Sequence, residues 1–165
     1  MSEAMNLLMK YAKAVFGICL VMSGTQAFSK SAGPSVEALL NCRGTQADMQ
    51  SFFEDANRSS GPYQITSAGY GTADLKLPNK VSVLGYGGDE VSVGAGYIYL
   101  FIDENINPIN KVAQKNELKK DSIIGITVYT KPNGKYQTLA TRSVDMLDPV
   151  HGHHVMLGCN YKPLD

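Results

Sequence analysis

Three histidines, His151, His153 and His154, fall within four residues, and the chain has no others. Neutral imidazole is a ligand for zinc, copper and nickel. In an extended segment His151 and His153 would point the same way. Asp145 or Asp148 is near enough in sequence to add a carboxylate. A structural zinc site uses about four protein ligands, and a catalytic one about three plus water. This cluster has no distant fourth ligand, so a polar loop is the simpler account. A small-ligand or transition-metal site through residues 151–154 is the alternative one.

Three cysteines are present: Cys19, Cys42 and Cys159. Both Cys42 and Cys159 are better suited to a disulfide than to nucleophilic work. The sequence has no G-x-S-x-G, no H-E-x-x-H and no C-x-x-C. Asp89-Glu90 and Asp103-Glu104 sit at the ends of apolar runs, where paired charges meet water. The glycine stretches 69–74 and 85–90 precede no helix, so neither forms a phosphate-binding turn. Residues 85–90 read as a hairpin turn. The residue types therefore argue against an enzyme and imply no cofactor.

The first 27 residues explain the third cysteine. Lys10 and Lys13 precede an apolar run at 14–22, followed by Ser23, Gly24 and Thr25-Gln26-Ala27. Charge, apolar core and small-residue site, in that order, define a secretory signal peptide. The run is shorter than the ~20 residues a membrane helix needs. Lipidation at Cys19 would want a small residue before it, and Ile18 stands there. Cleavage is expected after Ala27, with residues 28–34 a flexible mature start and 35–165 one domain. Export removes Cys19 and carries Cys42 and Cys159 into an oxidising compartment, where a pair is normally bridged.

Composition agrees with a folded exported domain. The chain is 44% hydrophobic and 18% charged, with 16 glycines and no tryptophan. Without the leader it has 13 basic and 14 acidic residues, a net charge of −1. Such a chain has no global field to draw it to nucleic acid or an anionic membrane.

The element that must position everything else is the stretch 81–102, VSVLGYGGDEVSVGAGYIYLFI. Its β-branched and aromatic runs, broken twice by glycine, predict an antiparallel meander. In its last run Tyr97, Tyr99 and Phe101 alternate with Ile98, Leu100 and Ile102. Both faces of that strand are apolar, which marks a central strand.

The remaining segments attach to this sheet. Residues 36–42 fit a short helix and a strand equally well. Thr45 caps a helix over 46–57, with Asp48 in a capping-box position. A strand is predicted at 63–68 and a loop at 69–74. Asn107-Pro108 starts a second helix, 108–119, with Ile109, Val112 and Ala113 inward and Lys111, Lys115, Lys119 and Lys120 in water. Strands follow at 122–130, 135–146 and 155–161. The fold class is α+β: one antiparallel sheet of five to seven strands with two main helices packed on it. The order suggests helix plus three strands, twice.

The stretches LLNCRGTQADMQSFF, LKLPNKVSVLGY and MLGCNYK resemble those of small, uncharacterised exported proteins of Gram-negative bacteria. The resemblance implies a periplasmic or secreted single domain and carries over no catalytic or binding residue.

Subtraction leaves a non-enzymatic periplasmic module that binds another periplasmic protein, as an inhibitor or immunity-type protein does. Tyr63, Tyr70, Tyr86 and Tyr97 flank glycine turns, a common make-up of contact surfaces. The plainer account is that these rings cover the sheet.

Overall fold

The computed structural model describes residues 35–58, 62–69, 71–123, 125–143 and 153–162. The leader, Tyr70 and His151 lie outside them. The chain divides between Ala32 and Gly33, and every described residue belongs to the unit Gly33–Asp165.

That unit is built on β4, Tyr97–Asp103. Before it run β1 (Gln64–Gly69), β2 (Thr72–Val83) and β3 (Tyr86–Gly94). After it come β5 (Lys119–Ile123), β6 (Ile126–Asn133), β7 (Tyr136–Arg142) and β8 (His154–Asn160). Among the described residues these form one sheet in the order β1-β2-β3-β4-β8-β7-β6-β5. Every pairing is antiparallel. Two four-strand meanders thus lie back to back, joined where β8 returns beside β4.

Turn chemistry sets this register. Terminal pairs such as Val83↔Tyr86 and Asn133↔Tyr136 leave two residues for the turn. At the first of these, Leu84 and Gly85 both have positive φ, 51° and 83°. That is the mirror-image turn whose twist matches paired strands.

Three helices cover one face: α1 (Val36–Leu40), α2 (Gln46–Ala56) and α3 (Ile109–Lys115). Ile98, Leu100 and Ile102 of β4 point to them, with Val91 and Val93 of β3 and Val155 and Leu157 of β8. Leu39, Leu40, Met49, Ile109 and Val112 fill the same core from the helices. The α2 cap is the predicted one: the Thr45 hydroxyl accepts from the Asp48 N–H at 3.1 Å. The Asp48 carboxylate accepts from the Thr45 N–H in return, at 2.8 Å.

α1 and α3 end alike. Asn41 and Asn116 are the C-caps, and Cys42 and Glu117 follow with φ of 58° and 56°. Arg43 N–H then reaches Ala38 O at 2.8 Å, and Leu118 N–H reaches Ala113 O at 2.9 Å. These are the closing bonds of a Schellman motif, whose left-handed residue is usually glycine.

The sheet corrects the expected fold class. It has eight strands, not five to seven, and its helices are three short segments instead of two main ones. Each half carries four strands, so the helix-plus-three-strands order is also wrong. Two strands account for the difference. β2 covers much of the expected 69–74 loop and runs on through Lys76, Pro78, Asn79 and Lys80. Its ladder is interrupted between Lys76 and Val81, and that irregularity admits the proline. β5 begins at Lys119, the last residue of the expected helix 108–119, and ends at Ile123, inside the expected strand 122–130; the helix itself is confined to Ile109–Lys115 with Pro108 as N-cap. The 36–42 ambiguity resolves as helix. The expected turn at 85–90 is mostly strand, since the chain reverses at Leu84-Gly85.

Candidate functional site

The face of the sheet turned away from α1, α2 and α3 has two unlike halves. Across β1, β2 and β3 it is polar. Register places Gln64 opposite Lys76, Asp74 opposite Ser92 and Lys76 opposite Glu90. Lys76 Nζ pairs with Asp89 at 2.9 Å. From β4 to β5 the same face carries an apolar patch among polar residues such as Thr141 and Asn160. Tyr99, Met156, Leu139, Val128, Ile126 and Ile123 follow one another across five strands. Ile123 and Ile126 are each about 40% exposed. Val128 and Leu139 are buried, yet stand apart from the main core.

This half holds a cavity of about 310 Å³. Its floor is Ile126, Val128, Leu139 and Met156, and its wall is Tyr97 and Tyr99. The two rings stack, with centroids 4.9 Å apart and planes at 13°. Glycines give them room: the Tyr97 ring occupies the space a Cβ on Gly94 would need, and Tyr99 pairs with Gly158. Burial raises both phenols above their ordinary range. For Tyr97 the nearby Asp74 charge adds to this, and a hydrogen bond with Ser92 opposes it. Among the described residues the Tyr99 hydroxyl has no hydrogen-bond partner.

Positive charge borders the cavity. Lys162 and Arg142 both line it, and no carboxylate does among the described residues. Arg142 is held by Glu104. A second cavity, about 420 Å³, lies between α1 and β2 beside Tyr63 and Arg43. A third, also about 420 Å³, lies beside Ile109 and Tyr129 on the helix side.

The residues singled out in the sequence are scattered. Tyr63 packs edge-on against Phe52 at 5.4 Å, on the helix side. Tyr86 lies at the core margin with Lys115 Nζ 5.0 Å from its ring centre. Tyr97 alone of the described three lies on the opposite face. His154 opens β8 and meets the Phe101 ring edge-on at 6.2 Å. His153 precedes it, and its carbonyl accepts from the Glu104 N–H at 3.0 Å. Among the described residues no three His, Cys, Asp or Glu side chains converge on a point where a metal could sit.

Cys42 and Cys159 are brought together, with Cα atoms 5.3 Å apart and sulfurs at bonding distance. That separation is ordinary for a disulfide. No helix among the described residues is long and apolar enough to cross a membrane. The sequence reading missed Tyr99, Leu139, Val128 and Met156. Their signal was the apolar residues on both faces of β4, β6, β7 and β8. Comparison with protein-family models, curated proteins and solved structures finds no match to this chain.

Proposed function

We propose that this chain is an exported, non-enzymatic binding module that engages a protein partner, as inhibitors and immunity-type proteins do. Its working surface is the apolar half of the helix-free sheet face. One observation carries this. Ile123 and Ile126, each about 40% exposed, continue into Met156 and the Tyr97–Tyr99 stack on a rigid sheet. Aromatic residues and methionine are enriched in the cores of interfaces. The rest of the same face, across β1, β2 and β3, is polar, so the topology alone does not require an apolar surface. Export rests on the charge, apolar run and small-residue site of the first 27 residues.

The test is capture from periplasmic extract of the source organism, with Ile126→Asp as the surface variant. A supporting result is a protein that, once purified, binds the parent and binds Ile126→Asp at least tenfold more weakly. A partner bound equally by both chains would remove this surface from the reading.

A further inference from the structure

Beyond that reading, we propose that the cavity beside Tyr99 is a binding site for a small amphipathic anion, an aryl or short-chain alkyl carboxylate. At about 310 Å³ it lies at the lower end of the range of small-molecule sites. It suits one ring with a short chain. Ile126, Val128, Leu139 and Met156 supply an apolar floor, and the Tyr99 ring stacked on Tyr97 supplies a flat wall.

The polar end decides the class. A phenol at the edge of an apolar cavity, with no protein partner, is placed to donate to a ligand oxygen. Tyr97 has Ser92, whereas Tyr99 has no partner among the described residues. Tyr99 is half-buried, and a ligand oxygen can accept from its hydroxyl in place of water. Lys162 adds charge. Its ammonium has no ion pair among the described residues, while Arg142 on the same lining is occupied by Glu104. With one unpaired cation and, among the described residues, no carboxylate in that lining, the site favours an anion over a neutral or cationic molecule. A hydrogen bond to a charged acceptor is also stronger than one to a neutral acceptor.

The experiment uses protein purified after expression of the full chain, with 4-phenylbutyrate as probe and 4-phenylbutanol as its neutral counterpart. Binding is read by calorimetry and by shifts of the tyrosine ring resonances. The expected result is saturable binding of the carboxylate below about 1 mM, a free energy of roughly 4 kcal/mol. The alcohol should bind at least tenfold more weakly. Tyr99→Phe keeps the ring and should weaken carboxylate binding at least threefold. Lys162→Met, at an exposed position, should do the same without changing the thermal midpoint. Met156→Trp should fill the cavity and abolish binding. Failure of the carboxylate to bind, equal binding of the alcohol, or equal affinity for all variants would each overturn the site. None of these readings involves a protein partner, so failure here leaves the partner proposal standing.

Discussion

Gly158 on β8 lies directly opposite Tyr99 on β4, and a side chain there has nowhere to go. A Cβ on Gly158 would overlap the carbonyl oxygen of Ile98 and stand 2.9 Å from Tyr99 Cα. Both neighbours are backbone of the central strand, which cannot move without breaking the β4–β8 ladder that joins the two meanders. Gly158→Ala is therefore expected to cost several kcal/mol, about 3 or more, at the severe end for one added methyl. Gly96→Ala is the control. Its nearest neighbour is Lys162 Cγ at 3.4 Å, the flexible part of an exposed chain, so it should melt close to the parent. Thermal midpoints of the two variants decide the matter. Equal midpoints would mean that the strands can part at Gly158.

The bond between Cys42 and Cys159 should dominate the response to reductant. It closes a loop with a sequence separation of 117, tying the end of α1 to β8. The chain-entropy account gives about 4–5 kcal/mol for such a loop, an upper figure. Cys42 also stands in the left-handed position that glycine usually fills, at φ 58°. Cys42→Ser should lose the bridge while keeping that strain, so it should lower the midpoint sharply. Cys42→Gly relieves the strain and should melt somewhat higher than Cys42→Ser, by about 1 kcal/mol. Intact mass after alkylation without reductant checks the bridge itself. Two alkylated cysteines in unreduced protein would refute it.

How far the fold could be read depends on where sequence and environment agree. β4 was legible because Tyr97, Tyr99 and Phe101 alternate with Ile98, Leu100 and Ile102, and only a central strand needs both sets. The Thr45–Asp48 capping box was legible because it is local. β5 was not, because Lys119 and Lys120 continue the polar face of α3. Charge on an edge strand guards against unwanted pairing, and it reads as helix surface. β2 was hidden by Pro78, which this ladder accommodates where its register breaks between Lys76 and Val81. The second apolar face was legible strand by strand, but the cavity on it was not. Tyr99, Met156, Leu139 and Val128 meet through register across four strands, and no local spacing announces that.

Glu117 offers a stabilising change. It closes α3 at φ 56°, where a side chain is strained and glycine is not. Its carboxylate pairs with Lys131 at 3.0 Å. Both side chains are well exposed, 47% and 82%, so the pair contributes little. Lys131 holds the Glu117 carboxyl below its ordinary range without altering that conclusion. Glu117→Gly should therefore be neutral or stabilising by up to about 1 kcal/mol, since the strain relieved outweighs the pair lost. Glu117→Ala loses the pair and keeps the strain, and should be no more stable than the parent. Urea unfolding of the three proteins checks the order. Glu117→Gly below Glu117→Ala would refute the argument.

Tyr161 should set part of the alkaline limit of this fold. Its ring is fully buried, and its hydroxyl donates to the Leu39 carbonyl at 2.8 Å. The Gly44 N–H donates to the Tyr161 hydroxyl oxygen at 3.4 Å. Burial pushes the Tyr161 phenol up from 10.0 to about 12. The Gly44 N–H opposes that rise, and the Tyr136 and Asp48 groups add to it. A raised folded value means the folded protein holds the proton more tightly than the unfolded chain does. The stabilisation is then complete below pH 10, the unfolded value, and is lost as pH rises through about 12. Tyr161→Phe should cost about 1 kcal/mol at neutral pH, a modest figure because Leu39 O also accepts from the Cys42 N–H. Above pH 10 the variant should lose stability less steeply than the parent, because the group that ionises is gone. The slope should not vanish, since burial also raises Tyr99. Urea midpoints of both proteins at pH 8 and pH 11 measure the two terms. A gap between them that widens at pH 11 would contradict the assignment.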